Sequence, residues 1–357
     1  MLVRSSSHGL ARRPVKERVI RRVAPMLGRG FDRFAHGISR AGYPLLPLVV
    51  PSFRDVDIEF DVPYLPTGSF SHLLDIYRPK GRKGKLPTVF YVHGGGFSTC
   101  SKDTHRIMAY MLAANGYQVF MVNYRVAPVA AFPKPLEDVT AAFHWFLDHG
   151  AEHGADLDRV AIMGESAGAN LVTALAVAAT EPRKEPYARS IYQRAPNLRA
   201  VVAIYGLLDC TDIERLWRSP RKERRMAGWV KEILRWTAAS YVGDPKRAAE
   251  QELASPLLLL ERPAPSGSRS LPPFFASVGT SDPLLSDSVR LRAAVERRGG
   301  EAELHVFPGE IHAFNALLFR RAAREKWRLV VDFLDHHVGG PGIEVVREPV
   351  VAAALTA

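Results

Sequence analysis

A glycine-flanked serine is the feature of this sequence best suited to chemistry. Residues 164–168 read Gly-Glu-Ser-Ala-Gly, after an apolar run at 160–163 and before a helix-compatible run that reaches 179. A strand, a tight turn and a helix in that order expose a serine hydroxyl as a nucleophile, and the turn needs small residues two positions away. The turn would also place Ser166 at a helix N-terminus, which favours negative charge. A glycine-rich turn without catalysis is the alternative.

A second glycine-rich segment directly follows the apolar run at 89–92. It contains Gly94, Gly95 and Gly96, preceded by His93. Consecutive glycines let the backbone approach a ligand closely, so their N–H groups can form an oxyanion hole together with the N–H of Ala167. A flexible loop or a phosphate cradle is the alternative, but no Lys-Ser/Thr pair follows as in a P-loop. His93 is expected to brace the loop rather than to transfer protons.

A serine nucleophile also needs a general base. His312 lies five residues beyond the strand pattern at 303–307, on a loop at the sheet edge where ligands meet parallel strands. Of the other histidines, His305 lies inside that strand pattern and is interpreted as structural. His336 and His337 lie near a predicted helix end and are expected to face solvent.

The base must be oriented by an acid, and two aspartates compete for this role. Asp282 follows the strand pattern at 274–278, whereas Asp287 falls within the helix predicted after it. We therefore expect Ser166, Asp282 and His312 to form the catalytic triad. Their order along the chain is the order of α/β-hydrolases.

Strand and helix patterns alternate after residue 85, which indicates how these loops are positioned. Strands are predicted at 89–92, 118–122, 160–163, 201–205, 274–278 and 303–307, and helices at 103–115, 136–147 and 167–179, with two earlier strands between 55 and 79. This alternation predicts an α/β fold, with a mostly parallel sheet covered by helices on both faces.

Composition excludes several classes of protein. The chain has 357 residues, of which 47% are hydrophobic, so a large core can be buried. The two cysteines give no disulfide framework and no zinc pattern, and they favour a reducing compartment. No apolar run approaches the roughly 20 residues that span a bilayer, and no secretory signal is recognised. We expect a cytoplasmic protein that needs neither a metal nor an organic cofactor.

The net charge of +11 is concentrated in two segments. Residues 1–40 hold ten Lys/Arg and two acidic residues, a net charge of +8, and residues 214–235 hold eight and three, a net charge of +5. The rest of the chain therefore has a net charge of −2. We interpret the two segments first as a solvated, arginine-rich surface. Peripheral contact with an anionic membrane is the alternative. Nucleic-acid binding is not expected, because no recognition motif accompanies the charge.

Together these segments resemble the hormone-sensitive-lipase-type esterases, a branch of the α/β-hydrolases. The matching segments fall between residues 74 and 335, at 93–97, 123–125, 132–133, 136–138, 164–170, 254–256, 282–284 and the His312 loop. Departures are modest: Glu165 stands where relatives usually have Asp, Ala169 where many have Gly, and Val129 where they often have Glu. They bear on substrate preference more than on catalysis.

The resemblance implies a carboxylic-ester hydrolase for short-to-medium acyl esters, working through an acyl-enzyme. It also implies a cap over the site, built here from residues 1–50 and from an insertion at about 208–245 within a catalytic domain at 51–337. Residues 338–357 are interpreted as a tail. We expect Trp217, Trp229 and the Met226 face of the insertion to line an apolar pocket; ordinary packing of the cap helices on the body of the protein is the alternative for each of them. An acyltransferase, an amidase or a non-enzymatic ligand-binding protein is the alternative.

Overall fold

The computed structural model describes residues 51–219, 226–243 and 251–339. The N-terminal cap segment predicted at 1–50 and almost all of the tail predicted at 338–357 lie outside these residues. Among the described residues, no helix combines the length and the hydropathy that crossing a bilayer requires.

Eight strands form one sheet, in the spatial order β1-β2-β4-β3-β5-β6-β7-β8. In chain order they are β1 (Val56–Pro63), β2 (Leu73–Pro79), β3 (Leu86–Val92), β4 (Gln118–Val122), β5 (Ala155–Glu165), β6 (Leu198–Ile204), β7 (Phe274–Gly279) and β8 (Ala302–Phe307). The two edge pairings β1–β2 and β2–β4 are antiparallel, and all pairings from β4 to β8 are parallel. The predicted α/β fold class is therefore confirmed.

Helices cover both faces of this sheet. The described α-helices are α1 (Arg106–Ala114), α2 (Lys134–His149), α3 (Ala167–Thr180), α4 (Pro186–Arg194), α5 (Gly228–Val242), α6 (Pro256–Leu260), α7 (Leu285–Arg297) and α8 (Arg321–His337). Helix α4 was not predicted from the sequence. It is largely polar and only Ala188 and Ile191 are buried, so its apolar pattern is too short to stand out.

The central strand β3 shows how one sheet separates two cores. Phe90 and Val92 point to the face covered by α2 and α3, whereas Val89 and Tyr91 point to the face covered by α1 and α8. All four side chains are fully buried. A strand buried on both faces is apolar throughout, which is why this run was readable in the sequence.

In the insertion that was predicted to form part of a cap, helix α5 has one buried and one exposed side. Helix α5 buries Leu234, Thr237 and Tyr241, whereas Trp229 is 68% exposed and Ile233 is 48% exposed. Most of the Trp229 side chain is therefore exposed, and its expected place in the wall of an apolar pocket stays a prediction. The helix turns its C-terminal half, rather than its first apolar residues, toward the body of the protein.

Candidate active site

Ser166 lies in the turn between β5 and α3, in a backbone conformation that side chains rarely adopt. Its φ is 52° and its ψ is −114°. The turn is crowded on both sides: a Cβ on Gly168 would lie 2.1 Å from the carbonyl oxygen of Val92, and one on Gly164 would lie 2.5 Å from the backbone of Gly168. Only glycine fits at these two positions, so the tight packing fixes the strained serine.

The three residues predicted as a triad lie in contact. The Oγ of Ser166 is 3.1 Å from Nε2 of His312, and Nδ1 of His312 is 2.8 Å from Oδ2 of Asp282. Asp282 also accepts a hydrogen bond from the backbone N–H of Leu284, which holds its carboxylate in place. Residues from three separate loops at the carboxyl edge of the sheet thus form one hydrogen-bonded chain.

The environment of His312 favours its charged form. Burial of the ring lowers the pKa of His312, but the charge of Asp282 and its hydrogen bond outweigh that effect and raise the pKa above its usual value. The side chain of Asp282 is fully buried, whereas that of His312 is 36% exposed. The raised pKa makes His312 a stronger proton acceptor, and its partial exposure lets a substrate reach it.

The glycine loop predicted as an oxyanion hole lies beside the serine. A Cβ on Gly94 would be 3.4 Å from the Cβ of Ser166, which places the loop against the turn. Gly95 and Gly96 have positive φ values of 108° and 59°. Their N–H groups donate to no backbone carbonyl of the described residues. Ala167, the fourth predicted donor, is the first residue of α3 and is fully buried.

Aromatic contacts support this loop from both ends. His93 stacks on Tyr124 with ring centroids 4.3 Å apart, and the Tyr124 hydroxyl donates to the His93 carbonyl. This contact agrees with the bracing role that we expected for His93. At the other end, Phe97 stacks on Tyr241 of α5 with centroids 3.5 Å apart.

Helix α5 therefore contacts the glycine loop directly, and sequence analysis missed this role. Thr237 lies 3.3 Å from the position of a Cβ on Gly96, one turn before Tyr241. The expected pocket residue Trp217 is buried, but the guanidinium of Arg235 lies over its ring. Nothing in the local spacing distinguishes Thr237 and Tyr241, because the loop residues that they contact, Gly96 and Phe97, are more than 130 residues earlier in the chain.

The rival candidates occupy structural positions. Asp287 is fully buried and accepts two hydrogen bonds from Arg215 at 2.6 Å, so it ties the insertion to α7. His305 lies in β8, where it stacks on Phe275 and pairs with Glu303. Among the described residues, no three His, Cys, Asp or Glu side chains are grouped as a metal site.

Comparisons with known proteins agree with this architecture. An acetyl esterase of Salmonella choleraesuis is 29% identical over 233 residues, which make up 64% of this chain and 65% of that relative. The match thus spans slightly less than two thirds of the relative's length. The acetyl esterase of Salmonella typhi is 28% identical over the same shares of both chains.

Solved structures show the same fold. An esterase of Pyrobaculum calidifontis superposes with a TM-score of 0.67 at 23% identity, covering 92% of this chain and 99% of the other. A mutant of the esterase E40 has a TM-score of 0.63 at 27% identity, covering 80% and 86%. The sequence model of a family described as alpha/beta hydrolase fold matches residues 89–316, from within β3 to just beyond the His312 loop. Since this match takes in more than half of the sequence, the chain belongs to the alpha/beta hydrolase fold family.

Proposed function

We propose that this protein is a carboxylic-ester hydrolase in which Ser166 is the nucleophile, His312 the general base and Asp282 the acid that orients it. The single observation that carries the proposal is the continuous contact from Oγ of Ser166 through His312 to Asp282, at 3.1 and 2.8 Å. The names of the related acetyl esterases support the reaction class and an acyl group at the short end of the expected short-to-medium range.

The proposed reaction begins when Oγ of Ser166 attacks the ester carbonyl. Nε2 of His312 takes the hydroxyl proton, and Asp282 stabilises the imidazolium that forms. Negative charge develops on the carbonyl oxygen, where N–H groups of the 94–96 loop and of Ala167 are the proposed donors. His312 then protonates the departing alcohol, which leaves an acyl-serine.

Water completes the proposed cycle. His312 takes a proton from a water molecule as the water attacks the acyl-serine, and the same N–H groups stabilise the second oxyanion. The carboxylic acid leaves when His312 returns the proton to Oγ of Ser166. This chain of steps moves protons only between side chains, substrate and water, so we propose no metal or organic cofactor.

The experiment that tests the proposal combines hydrolysis with covalent labelling. The wild type should hydrolyse p-nitrophenyl acetate and react with a fluorophosphonate, whereas Ser166→Ala should lose labelling and at least about 10⁴-fold in kcat. Ser98→Ala, a substitution of another serine near the glycine loop, serves as a control for labelling at the wrong residue. Unchanged labelling in Ser166→Ala would overturn the assignment. A series from acetate to decanoate gives the chain-length preference.

The same triad would serve an acyltransferase or an amidase. Adding an alcohol acceptor to the ester assay distinguishes the first, because an acyltransferase forms the new ester in preference to the acid. Replacing the ester with the matching anilide distinguishes the second. A non-enzymatic binding protein would give neither product and no covalent label.

We also propose a cytoplasmic location, with peripheral contact between the insertion and anionic membrane as a second property. The chain has only two cysteines, Cys100 and Cys210, and so low a cysteine content is typical of proteins of reducing compartments. Trp229 and Ile233 lie one turn apart on the exposed side of α5, close in sequence to exposed Arg218. Liposome flotation tests the contact: binding only to anionic vesicles supports it, and absence from both anionic and neutral vesicles excludes it.

A further inference from the structure

A buried ionic cluster lies behind the serine, and the proposed mechanism does not use it. Glu165 directly precedes Ser166 and is almost completely buried. Its Oε1 lies 2.7 Å from Nε2 of His105. On the other side of this ring, Nδ1 of His105 faces the carbonyl oxygen of Ser101 at 3.2 Å and the hydroxyl of Thr104 at 2.9 Å. Both ring nitrogens thus face acceptors, which favours a charged imidazolium beside a charged carboxylate.

The second oxygen of Glu165 faces the loop that carries His312. Asn315, three residues after His312, donates to Oε2 of Glu165 at 3.3 Å. The hydroxyl of Tyr205 lies between Oε2 of Glu165, at 3.2 Å, and the side-chain oxygen of Asn315. The ring of Tyr205 meets the imidazole of His312 edge-on, with centroids 4.7 Å apart.

We propose that Glu165 is a positioning residue for His312: its buried carboxylate, held by His105, fixes Tyr205 and Asn315 and through them the imidazole. The inference rests on the proposed function, since it assigns a partner to the proposed base. Glu165 connects the end of β5, the residue that follows β6 and the loop after β8, whereas the triad does not include β6. A carboxylate suits this task, because it can accept from several donors at once.

The charges around Glu165 also predict an electrostatic effect on the base. His105 approaches it from the segment before α1, Lys326 from α8 and the Tyr91 hydroxyl from β3, while Asp282 is a second anion near His312. Burial raises the pKa of Glu165, but the charge of His105 and the other donors lower it to about 2, so it is ionised at neutral pH. An anion here helps Asp282 to raise the pKa of His312.

The test compares Glu165→Gln with Glu181→Gln in the full chain. Glu181 is the matched control, because it is equally buried and paired with an arginine, Arg298, but lies at the far end of α3. With p-nitrophenyl acetate, Glu165→Gln should lower kcat about tenfold or more with little change in KM, as expected when a base is misplaced. The acid limb of its kcat/KM profile should move to lower pH, because an anion near His312 has been removed.

Two further variants cover the case in which Glu165→Gln does not fold. Glu165→Asp keeps the charge and should retain an acid limb near that of the wild type. Tyr205→Phe keeps the ring beside His312 but removes the hydroxyl that bridges Glu165 and Asn315, so its kcat should fall while its acid limb stays in place.

The outcomes separate the inference from the proposed function. If the wild type neither hydrolyses the ester nor reacts with a fluorophosphonate, the proposed function fails. If the wild type is active and the folded Glu165→Gln or Tyr205→Phe variant keeps the wild-type kcat, the positioning role is overturned. An unmoved acid limb in folded Glu165→Gln overturns the electrostatic part.

Discussion

Gly94 faces the backbone of Glu165 so closely that a Cβ at residue 94 would lie 2.8 Å from the Glu165 carbonyl oxygen. The glycine loop and the serine turn therefore touch through their main chains. Neither backbone can give way easily, because β3 and β5 are paired along their length up to Val92 and Gly164. The absence of a side chain at residue 94 thus sets the separation between the proposed oxyanion donors and the nucleophile.

Gly94→Ala should displace this loop and lower kcat about 100-fold, the cost typical of losing one oxyanion donor. Steady-state hydrolysis of p-nitrophenyl acetate measures the effect. Gly228→Ala is the control, because a Cβ at residue 228 meets no atom within 4 Å. Wild-type kcat in Gly94→Ala would mean that the loop does not supply the donors.

Asp282→Asn should lower kcat about 10³–10⁴-fold, because an amide cannot hold His312 in the required tautomer or stabilise its charge. The same assay measures this effect. Asp156→Asn is the control, because Asp156 is paired with Arg159 near the start of β5, at the opposite end of the strand from Ser166. Full activity in Asp282→Asn would contradict its assignment as the acid.

The acid limb of the kcat/KM profile should lie at a higher pH than an ordinary histidine would give. The proposed base must be neutral to accept the serine proton, and its pKa is raised above 6.5 because Asp282 outweighs burial. Activity therefore falls as the pH drops through this raised pKa. Asp282→Asn should move the limb to lower pH in whatever activity remains. A wild-type limb with a midpoint below 6.5 would contradict the upward pKa shift that we infer from the contact between Asp282 and His312.

Lys326→Met should stabilise the protein and remove a pH dependence of folding. The Lys326 amine is fully buried and has no hydrogen-bond partner among the described residues; its nitrogen lies over the Trp327 ring. Burial lowers its pKa from 10.5 to about 7, although the charge of Glu165 opposes this. Between these values the unfolded chain binds a proton that the native state lacks, so wild-type stability rises with pH across that window.

Urea unfolding at pH 7 and pH 9.5 measures this effect. The methionine variant should gain about 1–3 kcal/mol at pH 7, since a buried amine that lacks a hydrogen-bond partner is replaced by an apolar side chain of similar size. Lys134→Met, at a half-exposed lysine of α2, should change stability by less than about 0.5 kcal/mol. A destabilised Lys326→Met would show that the amine stabilises the core.

The sequence by itself determined the sheet class and the identities of the proposed triad. Parallel strands that are buried on both faces appear in the sequence as continuous apolar runs. Functional side chains lie in the loops that follow these strands, at one edge of the sheet, so the local pattern was sufficient to propose Ser166, Asp282 and His312. The tertiary structure decided which face of α5 packs inward and brought Tyr241 onto Phe97. It also gathered His105, Glu165 and Asn315 into one buried cluster. These contacts join residues 60 to 150 positions apart in the chain. Such contacts form only when the whole sheet folds, so the local periodicity of the sequence does not reveal them.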